Sequence, residues 1–299
     1  MYSTPCIATR LWGNKSVLVF RCWRMLGLLF LLLSLLEFSP TLCHAGEVRG
    51  TWLTTTANDA IMNPLHPEVQ QFLLDQVLEA IDHYDLDGIQ MDDRIVWPYV
   101  TMGYDAYTKQ IYANEHQGKA PPQDAHDPAW MAWRADKINA FAKRFTLAIR
   151  AKRPGLILSL SPAVYPWSWQ HYLLAWPAWS AWGNGDTSTE LKPSWDEFIP
   201  QAYRLSYRDF ASTWQRQVDA VRAAGGNPHT NLLAGIRIVG DGPDASWQQL
   251  RDAIELTRTM GNVGHVLWFS HGVLDLYHKE LQGYYAQTGK SESPHFPTG

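Results

Sequence analysis

Beyond residue 45 this 299-residue chain has no cysteine: Cys6, Cys22 and Cys43 are the three it carries. Everything downstream therefore lacks a disulfide, a thiolate nucleophile and a cysteine-based metal site. Runs of basic residues are missing too, and the formal charge is −4. A chain so balanced has no positive footprint for nucleic acid, and no nucleic-acid partner is expected. No strand pattern leads into Gly-x-Gly-x-x-Gly or a phosphate-cradling loop, which removes the sequence support for a nucleotide cofactor. His66, His83, His116, His126 and His171 show no His-Glu-x-x-His spacing. No Gly-x-Ser-x-Gly elbow surrounds Ser161. Neither cofactor nor metal is expected, although the adjacent carboxylates Asp92 and Asp93 would suit a hard cation.

What is present begins with a segment that reads as a leader. Arg10, Lys15, Arg21 and Arg24 flank an almost wholly apolar Met25 to Leu36, and Ala45 offers a small residue for cleavage before Gly46. The pattern predicts a secretory signal over residues 1–45 and a secreted or periplasmic protein. A retained single-pass anchor is the alternative, since Phe20 to Leu42 nearly suffices to span a bilayer. After cleavage no stable membrane insertion is expected. Residues 46–299 carry 21 basic against 28 acidic side chains. An exported chain without disulfides must be held by an ordinary core, which suits its length and its 46% hydrophobic content. The full sequence has 15 tryptophans, 13 of them beyond residue 45, which are costly to leave exposed but also stack on flat apolar faces such as sugar rings.

Along residues 46–287, strand and helix patterns alternate. Apolar residues at intervals of three and four predict helices over about 68–83, 130–152, 210–224 and 246–260, with a short helical piece near Tyr104 to Tyr112. Strands are expected at Val48–Thr55, Asp87–Asp93, Leu156–Ser161, Phe198–Tyr203, Leu232–Val239 and Val263–Ser270. Residues 288–299 read as a tail. Such alternation means parallel β/α units, in one barrel or in a doubly wound sheet. In a barrel the strand ends Asp92-Asp93, Ser161, Gln201–Tyr203, Gly240-Asp241 and Ser270-His271 converge on one face.

Alternate residues of a strand share a face, which separates Gly88, Gln90, Asp92 and Arg94 from Ile89 and Met91. The two apolar residues suit the helix layer, so Asp92 points to the barrel mouth and Asp93 sits at its rim. An Asp-Asp pair can simply cap a turn or pair with an arginine. The surrounding set argues for chemistry: Arg94, Gln201 and Tyr203 supply donors, and Trp97 and Trp268 supply flat apolar faces, with Trp167, Trp169 and Trp195 near the same end. Carboxylate, hydrogen-bond donors and tryptophan platforms are what hydrolysis of a glycosidic bond requires. Trp176, Trp179, Phe141 and Phe145 read as packing.

Five segments carry a resemblance: Arg49-Gly50-Thr51-Trp52-Leu53-Thr54; Asn63-Pro64 with His66-Pro67-Glu68-Val69; Tyr84 through Arg94; Trp133-Arg134; and Ile199-Pro200-Gln201-Ala202-Tyr203. In that order they resemble the bacterial glycosyl hydrolase-like 10 group and, more distantly, the hydrolase domain of periplasmic poly-N-acetylglucosamine-processing proteins. The resemblance implies a TIM-type (β/α) barrel hydrolysing an extracellular or cell-wall polysaccharide. It also implies that the acidic residue ending the Asp-Gly strand is catalytic, which falls on Asp92 with Asp93 beside it. The group's pattern has two further β/α units where this chain runs from Thr56 almost directly to Asn63, so an incomplete barrel of about six strands is expected. Asp92 is read as general acid. Glu197, Asp241 or a substrate acetamido group stand as candidates for its partner. The alternative function is a non-catalytic glycan-binding protein using the same cleft.

Overall fold

The computed structural model describes residues 18–22, 62–92, 95–183 and 191–287. Strand β1 (Leu18–Cys22), inside the segment read as a leader, runs antiparallel along β2 (Leu86–Met91). Between them in sequence, α1 (Pro67–His83) starts on a proline, whose fixed φ suits the first helical position. The strand expected at Val48–Thr55, the residues Asp93 and Arg94, and the tail from 288 lie outside the described residues.

From β2 onward the strands run parallel. β2 pairs with β3 (Ile157–Leu160), and β3 with β4 (Glu197–Phe198). β5 (Leu233–Arg237) pairs with β6 (Gly264–Trp268), and single bridges at Phe198–Leu232 and Gln201–Gly235 join β4 to β5. Helices follow each strand: α2 (Ala106–Glu115) and α3 (Pro128–Lys152) after β2, α4 (Trp167–Tyr172) and α5 (Trp176–Trp179) after β3. Helix α6 (Tyr207–Ala223) follows β4, α7 (Trp247–Thr259) follows β5, and a π-helical turn (Gly272–Leu276) with α8 (His278–Gln287) follows β6. Among the described residues five parallel strands in sequence order, with helices as crossovers, make an incomplete TIM-type (β/α) barrel.

Local chemistry explains the boundaries. Asp127 caps α3 by accepting from the N–H groups of Ala129 and Trp130, each at 2.9 Å. Ser246 and Gln249 form a reciprocal capping box at the start of α7. β4 is shorter than the expected Phe198–Tyr203 because Pro200 has no N–H to give the ladder. Pairing resumes at Gln201, and Gly235 makes this close approach feasible: a Cβ there would lie 2.8 Å from the Pro200 carbonyl oxygen.

The core lies between sheet and helices. Leu158 and Leu160 are fully buried, as are Phe145 and Ile149 of α3 and Phe198 of β4. Trp176 stacks on Phe198 at 5.8 Å, and Trp195 lies between Trp179 and Phe145 at 6.1 and 6.4 Å. Trp195 therefore belongs to the packing, with Trp176 and Trp179. One ion pair is built into this layer. Arg150 of α3 donates to Asp196 Oδ2 at 2.5 Å, and the same oxygen accepts the Leu158 N–H at 2.7 Å.

Candidate active site

The opposite face of the sheet is polar. Gln90 and Ser159 are register partners on β2 and β3, and the Gln90 amide donates to Ser159 Oγ at 2.9 Å. Continuing that face by two residues reaches Asp92 and Ser161, just past the strand ends. The Ser161 N–H donates to the Met91 carbonyl at 2.7 Å and its hydroxyl to the Ile199 carbonyl at 3.1 Å. These bonds carry the sheet one step beyond its strands and fix where Asp92 sits.

Gln201 reaches across to it. Its Nε2 donates to Asp92 Oδ1 at 2.5 Å and to the Ser161 carbonyl at 3.0 Å, so one amide ties the ends of three strands together. The Gln201 backbone is held by its own N–H on the Pro162 carbonyl at 2.9 Å. Asp92 is half-buried. An N–H donated to a carboxylate favours its charged form and fixes its plane.

Two residues past Gln201, Tyr203 stacks on Trp268 from the end of β6, with centroids 5.6 Å apart and planes at 25°. Both rings are half-buried. Arg237, the register partner of Trp268, spends Nη2 on the carbonyls of Asp241 and Gly242 at 2.9 and 3.1 Å and so holds the loop after β5. Asp92, Gln201, Tyr203 and Trp268 thus come together at the carboxyl ends of β2, β4 and β6, where barrel active sites are built.

Other expected residues have different placements. Trp97 is 1% exposed, and its indole N–H donates to the Met102 carbonyl at 3.0 Å, so the ring packs inside the loop after β2. Asp93 and Arg94 lie outside the described residues. Glu197 is the register partner of Ser159, one step deeper than Asp92, whereas Asp241 is exposed on the loop after β5. Among the described residues no three His, Cys, Asp or Glu side chains group as a metal site would require, and no helix is long and apolar enough to cross a membrane.

Sequence reasoning passed over the loop that follows β2. Its organiser is Arg134 of α3, a fully buried cation. Arg134 donates to the carbonyls of Val100, Met102 (2.7 Å) and Ala125 (2.5 Å), with its guanidinium 4.5 Å from the Trp130 ring. Burial pushes its pKa down to about 10, which leaves it charged at neutral pH. The signal available was Trp133-Arg134 itself, a charged residue on the buried stripe of a helix.

A parallel β/α barrel with a carboxylate, an amide and stacked aromatic rings at its strand ends has the architecture of a glycoside hydrolase. The chain belongs to the family described as Glycosyl hydrolase-like 10, whose sequence profile matches residues 32–244. It is 28% identical over 119 residues to glycosyl hydrolase YngK of Bacillus subtilis (strain 168), a match covering 40% of this chain. The match spans 22% of that protein's length. It also resembles the PgaB (BpsB) glycoside hydrolase domain from Bordetella bronchiseptica, with a TM-score of 0.52 and 15% identity. That likeness covers 77% of this chain and 66% of the other, and it concerns the fold.

Proposed function

We propose that this chain is exported and hydrolyses glycosidic bonds in an extracellular or cell-wall polysaccharide, with Asp92 as general acid. The observation that carries the reading is the Gln201 amide on Asp92 Oδ1 at 2.5 Å, which joins the carboxyl ends of β2 and β4 beside the Tyr203–Trp268 stack. Gln201 fixes the plane of the carboxyl, and because its N–H favours the charged form, another neighbour must keep on Asp92 the proton that a general acid delivers. The stacked rings offer an apolar wall for the C–H face of a pyranose, while the Tyr203 hydroxyl and the Gln201 amide serve its hydroxyl or acetamido groups. Asp93 and Arg94, next in sequence, set the protonation of Asp92 or orient sugar in this reading.

The second carboxylate of a glycosidase stands about 5 Å away for a retaining outcome or about 6.5–9.5 Å away for an inverting one. Asp241 suits this role better than Glu197, because it lies on a strand-end loop whereas Glu197 lies a row deeper. A substrate acetamido group serves the same purpose where the sugar carries one. Export removes residues 1–45, and with them β1 from the edge of β2.

One observation favours a second reading, that of a glycan-binding protein without catalysis. Among the described residues five parallel strands contribute ends to the mouth, fewer than the eight of a complete barrel. The parent protein and Asp92→Asn, offered a panel of cell-wall and exopolysaccharides, separate the two. Reducing ends released by the parent and lost in the variant, with binding retained, support the hydrolase. Equal binding with no release from either supports the binding protein. No binding by either refutes both.

A further inference from the structure

The barrel end that carries Asp92 holds a second concavity. Helix α1 finishes at His83 and β2 begins at Leu86, so the start of α1 lies at the end where β2 finishes. There Asn63 and His66 face the loop after β2 across a cavity of about 500 Å³, whose walls include Met102, Tyr104, Asp105 and Tyr107. Small-ligand sites generally occupy about 300–1,000 Å³.

The cavity is preformed. Asn63 Nδ2 donates to Asp105 Oδ1 at 3.1 Å and to Thr108 Oγ1 at 2.9 Å, which ties the segment before α1 to the start of α2. Gly103 turns with φ +111°, and a Cβ on it would lie 2.7 Å from the Trp97 ring. Arg134 holds the carbonyls of Val100 and Met102 from beneath.

Its lining has the composition of a sugar site. The Tyr107 and His66 rings lie 4.8 Å apart, and Tyr107 is 37% exposed. Such a ring offers its face to the C–H side of a pyranose. Burial pulls the Asp105 carboxyl upward, but hydrogen bonds from the Thr108 N–H and hydroxyl and from Asn63 outweigh it and hold it below the usual carboxylate range. Asp105 therefore stays a charged acceptor for sugar hydroxyls. Among the described residues the walls carry the Asp105 carboxylate and the His66 imidazole and no lysine or arginine, a setting that suits an uncharged sugar better than one bearing a carboxylate.

We propose that this cavity is a glycan subsite separate from the strand-end mouth, taking an uncharged pyranose segment stacked on Tyr107 and hydrogen-bonded to Asp105. The inference rests on the reading of the protein as glycan-active and adds where the chain runs and which sugars it admits. A polysaccharide threaded through both sites gains affinity with length.

The test measures binding of the full chain to neutral xylo- and chito-oligosaccharides of increasing length, with an oligogalacturonate as the charged control. Titrations are run on the parent, Tyr107→Ala, Tyr107→Phe and Asp92→Asn, and folding of each is checked by circular dichroism. The expected result is affinity that rises with length, falls about fivefold to tenfold in Tyr107→Ala on the longest neutral oligomer, and returns in Tyr107→Phe. Weaker binding of the oligogalacturonate supports the uncharged class. Tyr107→Ala binding every oligomer as the parent does overturns the proposal, whether or not the parent releases reducing ends. A parent that releases none yet shows the Tyr107-dependent gain keeps the subsite and overturns the hydrolase reading alone. Tighter binding of the oligogalacturonate overturns the class of sugar, and absence of all binding overturns the subsite.

Discussion

Replacing Arg134 with leucine tests how the loop after β2 is held. The side chain is fully buried and donates to the carbonyls of Val100, Met102 and Ala125, with a longer contact to Trp130 O at 3.3 Å. Leucine leaves the Val100 and Ala125 carbonyls without this donor, at about 1–3 kcal/mol for each one that stays buried, while the Met102 carbonyl keeps the Trp97 indole N–H. It also removes the cation from the Trp130 and Trp97 rings, 4.5 and 5.7 Å away, a loss of about 1 kcal/mol. Against this, the variant no longer buries a charge, which recovers several kcal/mol. The balance is a destabilisation of about 1–4 kcal/mol. Arg134→Lys keeps the charge but not the planar fork, and is expected to lose about 2 kcal/mol. Urea unfolding followed by tryptophan fluorescence measures both. Midpoints of the two variants within about 0.5 kcal/mol of the parent would show that the loop is held by something else.

Three shorter predictions accompany it. Burial, with Arg258 adding like charge, pushes the His265 pKa down to about 4, and Tyr285, whose own pKa is raised to about 12, shares a hydrogen bond of 2.7 Å with His265 Nε2. The unfolded chain takes up the proton near pH 6.5, so stability falls as pH drops from there through about 4, by up to about 3 kcal/mol. His265→Phe should flatten that part of the stability-against-pH curve, and an unchanged slope refutes the assignment. Asp196→Ala strips Arg150 of its carboxylate and the Leu158 N–H of its acceptor. Because Asp196 is partly exposed, a loss of about 2 kcal/mol in thermal or urea unfolding is expected rather than the larger cost of a wholly buried pair, and no loss would show the pair to be ornamental. On the proposed hydrolase reading, Gln201→Leu removes an N–H donor from Asp92, and the limb of the pH–rate profile assigned to that carboxyl should move to higher pH. If Asp92 is the acid, it is the alkaline limb that moves; movement of the acidic limb instead assigns it as base or nucleophile.

The placement of Asp92 was legible because period-two alternation is local: Ile89 and Met91 are buried, and the face they leave holds Gln90 and the strand end. The helices were legible for the same reason, since Pro67, Asp127-Pro128 and Ser246 with Gln249 announce their starts within a few residues. Helix α8 was not anticipated. The bond from Gln201 to Asp92 spans 109 residues, and only the folded sheet brings the two together. Trp97 shows the converse failure. A tryptophan five residues past a strand-end aspartate reads as a platform, but Arg134 on the following helix draws its loop inward, and the indole N–H goes to Met102.

The two faces of the sheet divide the labour between stability and function. Toward the helices, Leu158, Leu160 and Phe198 are closed off completely, and their burial contributes on the order of 2 kcal/mol each. Toward the barrel interior stand Gln90, Ser159, Ser161 and Gln201, short or polar side chains that bond across strands, Gln90 to the Ser159 hydroxyl, Ser161 to the Ile199 carbonyl and Gln201 to the Ser161 carbonyl. A hydrogen-bonded pair of that kind contributes only about 1 kcal/mol net, so the interior row adds little to the stability of the fold. What it does is hold a carboxylate at one end in a fixed plane. The same division explains how the five parallel strands among the described residues keep a shaped mouth. The packed layer behind the sheet positions β2 to β6, and the polar interior row ties their ends together.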